Sequence, residues 1–307
     1  MIGLPADQQD ISFLAGVGGV SAIVVNYNAG DLLLGCVSSL VAAGAAEVII
    51  VDNASADTSV ADCVAGVKPS ESQVVKVLQT GANLGYGRAA NLGAAEAHSN
   101  YLVICNPDCE IESSALTTLV RFLRENPSAG IVGPKILDEA GGVYPSPRRF
   151  PSLTTSAFHA LLGQLRPNNR FSSHYKSSDA QELGSDHWVS GAFIMIERSF
   201  FTAVGGFDAD FFMFMEDVEL SRRVIDGGRQ VGFVADARVV HRQGHSSRSR
   251  PYLVIWAHHR SLWVYAKKTT RGARRALLPV IAMGIGVRFS ISAVRAALGS
   301  GSGSHNR

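Results

Sequence analysis

Cysteine is scarce in this sequence, and the cysteines that are present are not grouped. The four residues, Cys36, Cys63, Cys105 and Cys109, form no CxxC pair. Zinc ribbons and dithiol redox sites need closely spaced pairs, so neither kind of site is expected. Scattered cysteines are typical of proteins from a reduced compartment, and we expect structural thiols in a cytosolic setting.

A targeting segment and an uninterrupted apolar run of membrane-spanning length are also lacking. No basic region precedes an apolar stretch at the N-terminus. The run ALLPVIAMGIGV, residues 276–287, has 12 residues before Arg288, whereas a spanning helix needs about 20. We therefore expect peripheral attachment to a membrane and no span. A buried core helix is the alternative for this run.

Acidic residues are missing from the last part of the chain. Residues 237–307 contain 13 Lys and Arg and no Asp or Glu, although the whole chain has a net charge of only +2. This asymmetry indicates an anionic partner for the C-terminal part. Because the basic residues surround an apolar run, the pattern favours an anionic membrane surface over nucleic acid.

Short apolar runs rich in β-branched residues alternate with segments of helical spacing. Buried strands are predicted at residues 20–26, 47–51, 74–78 and 101–105. Helices are predicted at residues 31–43, 88–98 and 113–126. Successive strand, helix, strand units imply right-handed crossovers. We predict the α/β class, with a mostly parallel central sheet flanked by helices.

Polar residues follow these strands, at the edge where open α/β sheets bind ligands. Asp52 ends a buried strand and can accept a hydrogen bond from the imide N–H of uracil or thymine, with an Asx turn as the alternative. Asp108 follows the fourth strand and suits a hard cation, Mg²⁺ or Mn²⁺, which would neutralise a diphosphate. Asn106 can add an oxygen or a donor to the same site.

Two adjacent carboxylates, Glu216 and Asp217, stand at the start of a predicted helix over Glu216–Asp226. They follow the aromatic run FFMFM and are candidates for acid or base chemistry. The alternative is that both acids only complement the helix dipole. The spacing of Glu219 and Arg223 predicts an ion pair on this helix.

Three basic or titratable residues complete the set of candidates. His241 follows a predicted strand and is either an anchor for metal or phosphate or a structural histidine. Arg148 and Arg149 lie in a Pro-rich segment and can grip the acceptor or a phosphate. Solvation of a loop is the alternative for the two arginines.

The order of these motifs resembles the inverting glycosyltransferases of family 2. The matching segments are VSAIVVNYN, VDNAS, NLGYGRAANLGA, NPD, GGFDADFFMFMEDVEL and VVH. The resemblance implies the nucleotide-sugar-binding GT-A fold, with NPD in place of the family's DxD. It also implies Asp217 as catalytic base with Glu216 as its support, and Asp108 with His241 as ligands of Mg²⁺ or Mn²⁺. The implied nucleotide-sugar-binding residues are Tyr27, Asn28, Asp52, Asn83, Gly85 and Asn106.

Three further segments, TGANLGYG, GGVYPSPRRFPSL and AHHRSLWVYAKK, look like a narrower group. These are the actinobacterial enzymes that move L-rhamnose from dTDP-rhamnose to polyprenyl-diphosphate-linked N-acetylglucosamine in the arabinogalactan linker of the cell wall. The implied partners are the donor, the lipid-linked acceptor and the inner membrane surface, without nucleic acid. The implied location is peripheral, on the cytoplasmic face of the cell membrane. Another donor or surface-polysaccharide acceptor is the alternative, and a non-catalytic sugar-nucleotide-binding subunit is a third hypothesis.

The same reasoning predicts the domain organisation. Residues 1–19 are expected to be a loose leader. Residues 20–250 are expected to form the GT-A domain, with a nucleotide-binding half (20–135) and an acceptor half (136–250). The acceptor half begins with a long irregular segment at residues 141–186. Basic membrane-proximal helices (251–298) and a flexible tail (299–307) are expected to complete the chain.

Overall fold

The structure is a computed structural model that describes residues 6–150, 183–242 and 251–301. The helices are α1 (Ala6–Gly16), α2 (Leu32–Ala42), α3 (Ser59–Gly66), α4 (Tyr86–Ala95), α5 (Ala115–Glu125), α6 (Arg198–Ala203), α7 (Glu216–Asp226), α8 (Pro251–Thr269) and α9 (Leu278–Gly301). The strands are β1 (Val20–Asn26), β2 (Glu47–Asp52), β3 (Val75–Gln79), β4 (Tyr101–Cys105), β5 (Cys109–Ile111), β6 (Ala129–Leu137), β7 (Val143–Tyr144), β8 (Arg148–Arg149), β9 (Leu183–Gly184), β10 (His187–Trp188), β11 (Phe193–Glu197) and β12 (Gln230–His241).

Most strands join one sheet, in the order β3-β2-β1-β4-β11-β6-β12-β5, with β7 beside β6 and β9 beside β12. Strands β1 to β4 are parallel, as predicted. The second half of the sheet is mixed, because β11 runs antiparallel to both of its neighbours. The carboxyl ends of β1, β2 and β4 therefore meet at one edge of the sheet.

The sheet is buried on both faces. Every residue of β1 and of β4 is buried, which explains why both strands appear as continuous apolar runs without alternation. On one face, α2 and α5 contribute Leu33 and Leu116 to the core. On the other face, α4 and α7 contribute Ala90 and Leu220.

The N-terminal segment differs from the expected loose leader. Residues Ala6–Gly16 form α1, and Leu14 is only 1% exposed within the core. The helix packs against α5, where the Arg121 guanidinium lies 5.0 Å from the Phe13 ring centre and 3.6 Å from Asp10 Oδ1. The expectation was wrong here because tertiary packing stabilises a helix too short to show a clear period in the sequence.

Two smaller differences concern strand and helix ends. The strand predicted before His241 is part of one long strand, β12, with a register shift between Val234 and Arg238. The helix α9 continues to Gly301, past the expected start of the tail at residue 299. In the segment at 141–186, β7 pairs with β6 and β8 pairs with β10. The prediction for residues 151–182 lies outside the described residues.

The C-terminal segment differs from the expectation that its 12-residue apolar run is too short to span a membrane. The segment Gly272–Leu298 has 27 residues, a mean hydropathy of 1.9 in its most apolar stretch and no buried residue there. It is long and apolar enough to cross a membrane, because an isolated Arg288 does not end the helix. The alternative of a buried core helix is wrong, since Val280, Met283 and Val287 are all exposed.

The close contact of α4 with the sheet depends on Gly93. A Cβ at this position would lie 2.5 Å from Ile23 Cγ2 and 2.8 Å from Val51 Cγ2. We expect Gly93→Ala to lower the free energy of unfolding by about 1–3 kcal/mol, measured by urea denaturation. The control is Gly16→Ala, where a Cβ meets nothing within 4 Å. Equal unfolding midpoints for the two variants would contradict this packing.

Candidate active site

Asp52 is the last residue of β2. In the parallel pairing of β2 with β1, it lies opposite Asn26, the last residue of β1. It is 5% exposed. Its Oδ1 accepts hydrogen bonds from Asn26 Nδ2 at 3.1 Å, from Ser55 N at 3.3 Å and from Ser55 Oγ at 2.5 Å. Asp52 thus holds the turn that follows β2 through the N–H three residues on, whereas the Asx turn proposed as the alternative uses the N–H two residues on. Oδ2 accepts no hydrogen bond from the described residues, so one carboxylate oxygen stays available to a ligand.

The loop before α4 is held to this strand end by Asn53, a residue that the sequence analysis did not single out. Asn53 is 3% exposed. Its amide nitrogen donates to Asn83 Oδ1 at 3.1 Å and to the Gly85 carbonyl at 3.3 Å, and its Oδ1 accepts from Leu84 N at 2.8 Å. Asn83 therefore shapes the loop in addition to any contact with a nucleotide. In the sequence, this role of Asn53 could have been indicated by its amide side chain directly after Asp52.

Gly85 brings the loop against the aromatic run at residues 211–215. Its φ is +86°, and a Cβ would lie 2.2 Å from the Phe212 carbonyl oxygen. The neighbouring Tyr86 N donates to that same carbonyl at 2.9 Å. Only glycine fits this backbone contact, and it ties the predicted donor side to the predicted acceptor side.

Asn28 lies in the turn after β1, at φ +52°. Its N–H donates to Ser55 Oγ at 3.0 Å, and its Oδ1 accepts from Ala56 N at 2.7 Å. The turn after β1 is thus bonded to the turn after β2. Tyr27, the residue before it, is partly buried in the same turn.

Asp108 and His241 approach each other at the ends of neighbouring elements. Asp108 Oδ1 lies 3.1 Å from His241 Nε2, and their side chains are 15% and 11% exposed. Asn106 Nδ2 lies 3.2 Å from the same ring nitrogen. When this amide donates to Nε2, the ring nitrogen and Oδ1 are two acceptors in contact, which repel unless a proton or a cation lies between them. This geometry fits a divalent cation.

Cys109 lies within the same group, and the ligand atoms of Asp108, Cys109 and His241 are all within 4.8 Å of one another. The Cys109 thiol donates to the Ala192 carbonyl at 3.3 Å, and burial raises its pKa well above the ordinary value. A thiol in this state is a poor metal ligand. The oxygen and imidazole ligands therefore suit a hard or borderline cation better than a thiolate site would.

Glu216 and Asp217 begin α7, as predicted. The two residues before them, Phe214 and Met215, have φ values of +68°, a left-handed conformation that is costly for non-glycine residues and is common at functional sites. Asp217 Oδ2 accepts from Gly191 N at 2.8 Å, and Oδ1 accepts from Val218 N at 2.8 Å. Glu216 is 7% exposed, and its Oε2 has no hydrogen-bond partner among the described residues.

The surroundings of the two acids differ. Burial, together with the neighbouring Asp217 charge, raises the pKa of Glu216 to about 8. Burial also raises the pKa of Asp217, but two backbone N–H groups and the Arg148 charge oppose that rise. The charged form is therefore better supported at Asp217 than at Glu216. The alternative, that both acids only complement the helix dipole, does not explain this difference.

The two predicted arginines have different surroundings. Arg148 stands with its guanidinium 4.8 Å from the Tyr144 ring centre and 5.5 Å from that of Trp188, and its charge acts on Asp217. Arg149 is half exposed and lies 3.9 Å from Asp186. The structure thus brings Arg148 to the acidic pair and turns Arg149 toward a surface partner.

Backbone contacts join the acidic pair to the cation group. Gly191 donates to Asp217 and accepts from the Tyr86 hydroxyl at 2.7 Å. The next residue, Ala192, accepts from Asn106 N at 2.9 Å. Sequence reasoning missed these linking roles, because they depend on backbone atoms that leave no residue-type signature. The predicted Glu219–Arg223 ion pair is confirmed, at 2.7 Å.

Solved structures that are similar to this one include glycosyltransferases. The mannosyltransferase PcManGT from Pyrobaculum calidifontis, in complex with GDP-Man and Mn²⁺, has a TM-score of 0.58 at 16% identity, covering 93% of this chain and 79% of that one. GalNAc-T7 with UDP, GalNAc and Mn²⁺ has a TM-score of 0.55 at 16% identity, covering 89% of this chain. This chain spans 55% of the GalNAc-T7 chain. The fold is therefore that of the GT-A glycosyltransferases.

Sequence comparison narrows this class to one family. The glycosyl transferase family 2 profile matches residues 21–205, which is more than half of the chain. The N-acetylglucosaminyl-diphospho-decaprenol L-rhamnosyltransferase of Mycobacterium tuberculosis is 35% identical over 216 residues, covering 66% of this chain and 70% of the relative. The chain belongs to glycosyl transferase family 2, and it is a glycosyltransferase.

The unequal protonation of the acidic pair predicts how Glu216→Gln behaves. At pH 7 the variant should keep kcat within about threefold of the wild type, because glutamine resembles the neutral acid. The wild type should lose activity as Glu216 ionises near pH 8, and the variant should not. The measurement is a pH profile of kcat for both proteins. Loss of activity in Glu216→Gln at pH 7 would show that ionised Glu216 is required.

The same pKa shift predicts a stability difference with a definite sign. Between the ordinary pKa of 4.5 and about 8, the unfolded chain has released the Glu216 proton while the folded chain retains it. The wild type should therefore lose stability relative to Glu216→Gln as pH rises through this window, by a few kcal/mol in total. Urea denaturation at pH 5 and pH 8 measures the effect. Exposed Glu125→Gln is the control and should show no such trend.

Proposed function

We propose that this chain is an inverting glycosyltransferase that moves L-rhamnose from dTDP-rhamnose to polyprenyl-diphosphate-linked N-acetylglucosamine, in the arabinogalactan linker of the cell wall. The observation that carries the chemistry is the Asp217 carboxyl group, held by two backbone donors beside Glu216, whose pKa is raised to about 8. The sugar and the acceptor are supported by the 35% identical mycobacterial rhamnosyltransferase.

Asp217 is the general base of the proposed reaction. It accepts the proton of an acceptor hydroxyl while that oxygen forms a bond to the anomeric carbon of the donor sugar. The bond from that carbon to the nucleotide diphosphate breaks, and the diphosphate leaves with the electron pair. Attack from the side opposite the leaving group inverts the anomeric centre. Protonated Glu216 leaves the Asp217 charge without a second anion beside it.

Mg²⁺ or Mn²⁺ is the proposed cofactor, held by Asp108 and His241. When bound, such a cation neutralises the charge that develops on the leaving diphosphate. Asn106 orients the His241 ring from 3.2 Å. Both structural neighbours were solved with Mn²⁺, which supports a metal-dependent site. Asp52, with its free Oδ2, is the proposed partner of the thymine imide N–H, near Tyr27, Asn28, Asn83 and Gly85.

The acceptor side is proposed to face the cytoplasmic surface of the cell membrane. The C-terminal helices carry basic residues and no acid, and α9 exposes a long apolar surface. This combination supports attachment to anionic lipid, either at the surface or through insertion of α9. Arg148 is proposed to contact a phosphate of the acceptor.

The test is a donor panel with a polyprenyl-diphospho-N-acetylglucosamine acceptor and linkage analysis of the product. We expect transfer from dTDP-rhamnose in preference to UDP-sugars and GDP-mannose. Asp217→Asn should lower kcat by about 10²–10⁴-fold and leave donor binding within about twofold. A collapse of donor affinity in this variant would make Asp217 a binding residue. Preference for another nucleotide sugar would refute the proposed donor and leave the family assignment intact.

The cation site has a separate test in nucleotide binding. Titration calorimetry with dTDP should show affinity that rises with Mn²⁺ in the wild type. In Asp108→Ala this Mn²⁺-dependent gain should fall by about tenfold or more. Asp236→Ala, which removes an exposed carboxylate, is the matched control. An unchanged metal response in Asp108→Ala would remove this residue from the site.

A further inference from the structure

A cavity of about 340 Å³, wide open to solvent, is lined by the two C-terminal helices, and its lining includes neither the acidic pair nor the cation group. Each helix contributes residues spaced i, i+3, i+4 and i+7, so a single face of each helix lines it. The lining residues are Trp256, His259, Arg260 and Trp263 from α8 and Ala282, Ile285, Gly286 and Phe289 from α9. The volume lies in the range of about 300–1,000 Å³ that is typical of ligand pockets.

Small residues of α9 and large residues of α8 both line the cavity. Gly286 and Ala282 line it from α9, and Trp256 and Trp263 line it from α8. A Cβ added at Gly286 would meet no atom within 4 Å, so the space above this glycine is open. The lining is mainly apolar and aromatic, which suits a hydrocarbon occupant.

Two polar side chains, Arg260 and His259, also line the cavity. The Arg260 guanidinium lies 5.7 Å from the Trp256 ring centre, and its Nη1 donates to the Asp210 carbonyl at 2.9 Å. His259 is 6% exposed, and its Nδ1 lies 2.7 Å from the Ile255 carbonyl. The Nε2 of His259 has no hydrogen-bond partner among the described residues. No acidic residue occurs in either helix, so the cavity favours an anionic group beside the hydrocarbon.

The helix α8 also supports the aromatic run beside the acidic pair. Ser261 Oγ donates to the Met213 carbonyl at 2.8 Å. The His258 ring lies 5.4 Å from that of Phe214. The same run accepts from Tyr86 N through the Phe212 carbonyl. The helix that lines the cavity therefore also contacts the aromatic run that precedes Glu216 and Asp217.

The outer surface of α9, beside the cavity, is apolar and exposed, as a surface that faces lipid would be. Val280, Met283, Val287 and Val294 are more than half exposed, on a segment long and apolar enough to lie in a membrane. A molecule that carries a long hydrocarbon chain and an anionic head can enter from the bilayer, whereas a soluble sugar nucleotide gains nothing from this surface.

We infer that the cavity between α8 and α9 binds the isoprenoid segment of the lipid-linked acceptor that adjoins its diphosphate. The aromatic side chains contact the hydrocarbon, and Arg260 and His259 face the phosphate end. This inference rests on the proposed function, because it needs a polyprenyl diphosphate as substrate. It adds a site that fixes the lipid and thereby places the acceptor sugar at Asp217.

The test fills the cavity in the full-length chain. Gly286→Leu places a side chain in the open space, and Gly284→Leu is the matched control, since it also meets nothing within 4 Å but does not line the cavity. Both variants replace a helical glycine with a better helix former. Each is assayed in detergent with dTDP-rhamnose and two acceptors, polyprenyl-diphospho-N-acetylglucosamine and methyl-diphospho-N-acetylglucosamine.

Gly286→Leu should raise KM for the polyprenyl acceptor by about tenfold, the loss expected when one or two buried hydrocarbon groups are displaced. Its kcat, and its KM for the methyl acceptor, should match those of Gly284→Leu and the wild type. Equal KM values in the two variants, or a rise for both acceptors, would overturn the inference. So would a parallel loss of binding to acceptor-free anionic vesicles. If the wild type transferred sugar to neither acceptor, the proposed function itself would fail.

Discussion

The arrangement of the site depends on two adjacent carboxyl groups whose negative charges repel each other. Glu216 and Asp217 are placed at the start of α7 in a region from which water is largely excluded, where like charges repel strongly. The backbone resolves this conflict by giving both donors to Asp217 and none to the terminal Oε2 of Glu216. The surroundings thus favour the charged form at Asp217 and the neutral form at Glu216, so that a single environment produces two different carboxyl groups.

That division is maintained by glycines whose roles lie in backbone contacts. Gly191 donates to Asp217 and accepts from Tyr86, and its neighbour Ala192 bonds to Asn106 in the cation group. Gly85 lets the loop before α4 touch the Phe212 carbonyl. The donor loop, the cation group and the acidic pair are therefore parts of one bonded network. A shift at any of these contacts would therefore move Asp217, the proposed base.

The C-terminal helices extend this network. On α8, Ser261 donates to the Met213 carbonyl in the aromatic run and Arg260 donates to the Asp210 carbonyl just before it, and α9 exposes apolar residues. The exposed apolar surface and the contacts to the aromatic run therefore belong to the same pair of helices. In the proposed function this pair both attaches to lipid and positions the acceptor, which would account for the mixture of basic and apolar residues in the last part of the chain.

The sequence by itself determined the α/β class, the positions of β1, β4 and α7, and the candidate residues at the strand ends, because buried parallel strands and polar breaks leave direct marks in residue type. It did not determine the mixed second half of the sheet, the helix over Ala6–Gly16 or the exposure of α9, since these depend on partners distant in sequence. The tertiary structure also decided which predicted residues act together. It paired Asp108 with His241, separated Arg148 from Arg149 and distinguished Asp217 from Glu216, because burial and backbone donors arise only from folding.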